Sequence, residues 1–198
     1  MNLPNKITMC RIVMAVLVLI ILMFPYSSVG ITLPIYEPFN NITIRLDYII
    51  AGFLFVIASF TDFLDGNIAR KNNLVTDFGK VMDAIADKVL VNGVLILLAF
   101  NKSIPAVIPV IIITRDTVVD AIKMVAGKKN SAVGASIWGK IKTICMMVGL
   151  SLTFFSNIPF EIVGIRLDSI LLYAATILSV YSGIEYFIVN KKYFLEDK

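Results

Sequence analysis

The chain has 198 residues, of which 58% are hydrophobic and only 16% charged, a balance too apolar for an ordinary soluble domain. The apolar residues come in long runs that one helical core could not bury, so the class is a polytopic membrane protein. A net charge of +4 with no basic stripe among aromatics argues against nucleic acid, and the absence of histidine excludes imidazole as a base or metal ligand.

Residues 1–11 (MNLPNKITMCR) are expected to form a short N-terminal amphipathic segment. Pro4 can open a helix, and Ile7, Met9 and Cys10 could lie on a membrane surface. Ile12 to Tyr26 is almost wholly apolar and, joined to the lead-in, long enough to cross. Lys6 and Arg11 before it resemble the start of a signal peptide, but no convincing cleavage site follows, so a retained first helix is expected. Pro25, Gly30, Pro34 and Pro38 break the run, and 27–45 reads as a loop.

A second span runs from about Leu46 to Arg70, and Lys71 to Asp77 is a polar turn. The third span is Gly79 to Phe100, and the fourth runs from Pro105 to about Ala126. A basic, small-residue loop (Gly127 to Gly134) precedes the fifth span, Ala135 to Phe155. A polar loop from Ser156 to Asp168 leads to the sixth, Ser169 to Asn190, and a polar tail. The expected fold is therefore an all-α polytopic membrane protein of six transmembrane helices, one domain over 1–198, with no internal repeat.

Six spans put both termini on one side. Lys6, Arg11, Arg70, Lys71, Lys80, Lys128, Lys129, Lys140, Lys142, Lys191, Lys192 and Lys198 fall there, against Arg45, Lys102 and Arg166 on the other. The excess of basic residues places both termini in the cytoplasm. Cys10 and Cys145 are far apart in apolar helical contexts and read as packed thiols.

Four carboxylates interrupt this apolar pattern. On a helix, Asp62, Asp65, Gly66 and Ala69 share one face, as do Gly79, Asp83 and Asp87 on the next span. Two spans joined by a short turn are antiparallel neighbours, so these faces can meet. Such carboxylates need cationic compensation, and all-oxygen ligation suits Mg²⁺ or Mn²⁺, with room for two ions. Gly66, Ala69 and Gly79 leave space for a bulky diphosphate. Asp62 lies eight residues from Arg70, roughly 12 Å along the axis, so the cluster sits just inside the cytoplasmic interface. Salt bridges to Arg70, Lys80 and Lys88 would explain one or two of these aspartates but not four on matched faces. Arg115 reaches a similar depth and needs an anionic partner, either a substrate phosphate or Asp116 or Asp120. Lys140 and Lys142 read equally well as phosphate ligands and as interfacial anchors.

The pattern Asp62-x2-Asp65-Gly66-x2-Ala69-Arg70-x8-Gly79-x3-Asp83-x3-Asp87 resembles the signature of the CDP-alcohol phosphatidyltransferase family at every fixed position. Leu3-Pro4-Asn5-Lys6-Ile7-Thr8 followed by Arg11, Ile112-Ile113-x-Arg115 and Ala135-Ser136-x2-Gly139-Lys140-Ile141-Lys142-Thr143 resemble the branch that uses sn-glycerol 3-phosphate. The resemblance implies transfer of a phosphatidyl group from CDP-diacylglycerol to that acceptor, with release of CMP. It implies that Asp62, Asp65 and Asp83 are metal ligands and that Asp87 is the general base and also touches a second metal. It implies a CDP site of Gly66, Ala69, Arg70 and Gly79 beside the aspartates, with Asn5 and Thr8 near. It implies that Arg115, Ser136, Lys140 and Lys142 receive the acceptor's phosphate, and that the chain is a homodimer among membrane lipids. One position departs: Asp116 follows Arg115 where close relatives are expected to carry Glu. Two alternatives stay open. One is a sibling using inositol phosphate, phosphatidylglycerol or serine, and the other is a divalent-cation transporter.

Overall fold

The computed structural model describes residues 3–39, 42–71, 77–128 and 136–191, with side chains for 6–39, 42–62, 79, 81–124 and 136–191. Long helices follow in order: α1 (Leu3–Met23), α2 (Leu46–Lys71), α3 (Asp77–Phe100), α4 (Val107–Lys128), α5 (Ile137–Phe154) and α6 (Leu167–Asn190). Each coincides with an expected span to within a few residues, apart from α1. The apolar runs are long, and the breaks fall at Pro, Gly and polar clusters.

Two features differ from expectation. The segment 27–45 is not a plain loop but carries an antiparallel hairpin, β1 (Ile35–Phe39) and β2 (Ile42–Arg45). Ile42 and Ile44 are buried while Thr43 and Arg45 point out, a two-residue alternation of β-branched residues that favours a strand. The bundle is thus helical but not purely so. The N-terminal lead-in is also not a separate surface segment: it is the first part of α1. Thr8, Arg11, Ala15, Val18 and Leu22 form one buried stripe at helical spacing. Met9 faces outward, as expected of a surface residue. Cys10 also faces outward, off the buried stripe, which corrects its reading as a packed thiol; Cys145 is half-buried, and the other face of the lead-in enters the bundle.

The helices pack as two groups of three. Among the described residues, α1 lies against both α2 and α3, and α6 lies against both α4 and α5. Smaller α2–α5 and α3–α4 contacts join the groups. Their shared core includes Phe55, Leu90, Val94, Ile108, Leu150, Phe154 and Leu172. Close approach depends on small residues: a Cβ at Gly93 would lie 2.5 Å from Leu19 Cδ2, and one at Gly52 would lie 2.8 Å from Phe154 Cβ.

The outer surface stays apolar, with Val13 and Ile20 on α1, Phe53 and Phe60 on α2, and Ile177 and Ile188 on α6 all exposed. Large apolar side chains on the outside of a helical bundle suit lipid rather than water. Among the described residues, three segments are long and apolar enough to cross a membrane: Lys6–Met23, Ile137–Phe154 and Leu167–Asn190.

At the hairpin end, polar side chains knit the connecting segments together. Ser156 Oγ donates to the Thr43 carbonyl at 2.9 Å, and buried Asn157 donates to Glu161 and to the Ile165 carbonyl while accepting from the Asp168 amide. Buried Asp47 accepts from Arg45. The acidic motif lies at the other end of α2.

Candidate active site

The aspartates converge, but through a third helix. Arg11 of α1, only 1% exposed, donates from Nη1 to Asp62 Oδ1 on α2 at 2.5 Å and lies 3.8 Å from Asp83 Oδ1 on α3. Thr8, one turn earlier, donates to Asp83 Oδ1 at 2.7 Å. Among the described residues, α1 supplies groups that link the α2 and α3 faces, and the rest of the α2 face, from Asp65 to Ala69, lies outside the described side chains. Thr8, which the resemblance puts near the CDP site, is thus bonded to one of the expected metal ligands. Arg11 belongs to the N-terminal segment that carries the resemblance but is given no site role in the sequence reading; it shares the buried stripe of Thr8 and Ala15, a signal that could have found that role.

The salt-bridge alternative named different partners. Among the described residues, Lys88 pairs not with the motif but with Asp120 Oδ2 of α4, at 2.6 Å. Asp65, Gly66, Ala69 and Arg70 ride on α2, and Asn5 on α1, but their side chains, like that of Lys80, lie outside the described residues. Gly79 is buried in the first turn of α3.

Asp62 and Asp83 are each 44% exposed and present only carboxylate oxygens. This donor chemistry fits a hard divalent cation. The Arg11 guanidinium, shared between the two carboxylates, shows that positive charge is accommodated at these oxygens. Asp87 lines a cavity with Arg115, Asp116 and Lys142 and also feels the charges of Asp62 and Arg11.

The cavity, of about 560 Å³, has walls that include Asp87, Arg115, Lys123, Ser136, Lys140 and Lys142. All four residues expected to hold the acceptor phosphate thus share one cavity with the expected base. Lys142 is 4% exposed, and its Nζ donates to the Asp116 oxygens at 2.9 and 2.7 Å, so it is no interfacial anchor. Lys140 remains exposed at the cavity. Arg115 Nη1 donates to Asp116 Oδ1 at 2.9 Å, so of its two carboxylate candidates it takes Asp116, while Asp120 serves Lys88. Ser136, at the N-cap position of α5, bonds the Glu185 carboxylate of α6.

Three participants on α6 were not legible beforehand. Ser179 accepts from Arg115 Nε through its carbonyl, Ser182 accepts from Arg115 Nη2, and the Tyr186 ring lies under both Arg115 and Lys123. The result is an acidic group on α1–α3, a basic group on α4–α6, and Asp87 at their seam. Chemically this suits two phosphorylated reactants meeting at a carboxylate.

The family model for CDP-alcohol phosphatidyltransferase matches residues 1–181. A Bacillus subtilis (strain 168) protein named CDP-diacylglycerol–glycerol-3-phosphate 3-phosphatidyltransferase is 37% identical over 189 residues, 96% of this chain and 95% of the relative. Relatives with the same name include those of Rickettsia bellii, 36% identical over 98% of this chain and 97% of its own, and Haemophilus influenzae, 33% identical over 99% and 97%.

Proposed function

Since the chain belongs to the CDP-alcohol phosphatidyltransferase family, we propose that it transfers the phosphatidyl group of CDP-diacylglycerol to sn-glycerol 3-phosphate. The products are phosphatidylglycerol phosphate and CMP, within phospholipid biosynthesis. The observation that carries this reading is the cavity shared by Asp87 with Arg115, Ser136, Lys140 and Lys142. It offers cationic and hydroxyl donors for a phosphorylated alcohol beside a carboxylate able to take the alcohol's proton. Serine as acceptor would bring no phosphate to a cavity where Arg115, Lys140 and Lys142 outnumber Asp116, and the relatives named above carry glycerol 3-phosphate in their names. A transporter reading finds no support in a family match over nearly the whole chain.

Arg115, Lys140 and Lys142 hold the acceptor phosphate, which leaves the primary hydroxyl at the far end of the glycerol to reach toward Asp87. That hydroxyl oxygen bonds to the phosphorus bearing diacylglycerol, the bond from that phosphorus to the CMP oxygen breaks, and the hydroxyl proton goes to Asp87. Asp62, Asp65 and Asp83, with Asp87 beside them, would hold Mg²⁺ or Mn²⁺, which neutralises the diphosphate as charge builds on departing CMP. Gly66, Ala69 and Gly79 give the nucleotide room, and Arg70, Asn5 and Thr8 border it.

The protein is a membrane protein. Six crossings with cytoplasmic termini, an active site at the cytoplasmic face and a homodimer complete the proposal. The apolar exterior and the excess of basic residues on the terminal side support the topology. A panel of acceptors with purified enzyme, CDP-diacylglycerol and Mg²⁺ or Mn²⁺, scored by CMP release, tests the reaction. Release with glycerol 3-phosphate supports it, and release only with another acceptor overturns it.

A further inference from the structure

Arg115 emerges from α4, but its orientation is set by α6. Its Nε donates to the Ser179 carbonyl at 3.1 Å, and its Nη2 donates to Ser182 Oγ at 2.7 Å. Gly183 lets the side chain lie flat on α6: a Cβ there would come 2.9 Å from Arg115 Cγ and 3.5 Å from Nε. Tyr186 underlies the guanidinium at 5.9 Å from its ring centroid. Ser182 is fully buried and also donates to the Leu178 carbonyl at 2.7 Å, so its hydroxyl is fixed rather than rotating freely. Asp116 holds the remaining side of the guanidinium at Nη1.

A flexible cation binds a dianion with a large loss of side-chain freedom. A guanidinium already held along two of its edges loses far less, and it presents its remaining N–H groups in one direction. Helix packing alone does not require this pattern. A small residue at 183 would serve close packing, but the hydroxyl at 182 and the carbonyl at 179 are aimed at a charge.

We propose that Ser182 and Gly183 of α6 are positioning residues for the acceptor: they pre-set the Arg115 guanidinium and thereby fix affinity for the acceptor's phosphate. They act through Arg115 and do not touch the reacting atoms. This rests on the acceptor reading given above.

The test is the separation of KM for the two substrates in Ser182→Ala, Ser182→Thr and Gly183→Ala. Ser182→Ala removes one charge-assisted hydrogen bond, and KM for glycerol 3-phosphate rises about five- to thirtyfold. KM for CDP-diacylglycerol and kcat at saturating acceptor stay within about twofold. Ser182→Thr keeps the hydroxyl and restores most of the acceptor affinity, and Gly183→Ala raises the same KM by displacing Arg115. Parallel rises in both KM values, or loss of kcat at unchanged acceptor KM, overturn the proposal and leave only helix packing. If Ser182→Ala does not fold, Gly183→Ala with Ser182→Thr gives the same split. Wild-type protein in the same assay keeps the two ideas separate: if it turns over no glycerol 3-phosphate, the reaction reading fails; if it does and the split is absent, only the positioning role fails.

Discussion

Arg11 and Asp62 form an unequal pair: the cation is 1% exposed, whereas its carboxylate partner is 44% exposed. A buried charge thus has its compensation at a water-accessible rim. Replacing Arg11 with Met keeps the volume and removes the charge, leaving Asp62 and Asp83 facing one another. With the solvent around Asp62 discounted, the expected loss is about 1–2 kcal/mol, read as a lower Tm in detergent. Mn²⁺ should then raise Tm by more in Arg11→Met than in wild type, because the cation alone now compensates the pair. Equal increments in the two proteins would count against these aspartates as metal ligands.

Asp87 lies at the seam of the two charged groups, so removing its charge should separate chemistry from binding. Asp87→Asn is expected to lower kcat by about 10²–10⁴-fold while CDP-diacylglycerol still binds within a few-fold of wild type. Rapid-quench turnover beside equilibrium binding of the CDP-lipid checks this. If binding disappears too, Asp87 is chiefly a metal ligand.

Asp116 serves two cations at once, Lys142 through both oxygens and Arg115 through one. Asp116→Ala strands the buried Lys142 ammonium, at an expected cost of about 3 kcal/mol. It also raises KM for glycerol 3-phosphate. Asp116→Glu keeps the charge and should hold both properties near wild type, in keeping with the Glu expected here in close relatives. A glutamate variant as impaired as the alanine one would show that side-chain length, not charge, governs the site.

Gly52 offers a control away from the chemistry. A Cβ there meets Phe154 Cβ at 2.8 Å, at the α2–α5 contact. Gly52→Ala is expected to destabilise by about 1–3 kcal/mol through overpacking. Its Tm should fall while both KM values stay at wild-type levels. A shift in either KM would mean that the α2–α5 contact is coupled to the site.

Helix positions were legible because each apolar run is long and ends at Pro, Gly or a polar cluster. The shared faces of Asp62 with its neighbours, and of Asp83 with Asp87, follow from the helical period alone. Which helix fills the space between those faces does not, because that is a long-range packing choice. Arg11 therefore looked like a flanking charge although it lies in the site. Ser182 and Gly183 looked like ordinary small residues of an apolar helix, since nothing local shows that a distant arginine lies across them. The hairpin was missed for a different reason: the prolines at 34 and 38 mask the short alternation at Ile42 and Ile44.

The grouping of the helices has an evolutionary consequence. In the proposed reaction the aspartates that serve the nucleotide reside on α2 and α3, braced by α1, whereas the cations proposed for the acceptor phosphate and their supports reside on α4–α6 or at the start of α5. Asp87 lines the cavity of the second group and feels the charges of Asp62 and Arg11 in the first. Natural selection can therefore redraw which alcohol is accepted by altering the second half of the gene, while the ancestral nucleotide chemistry passes unchanged through the first.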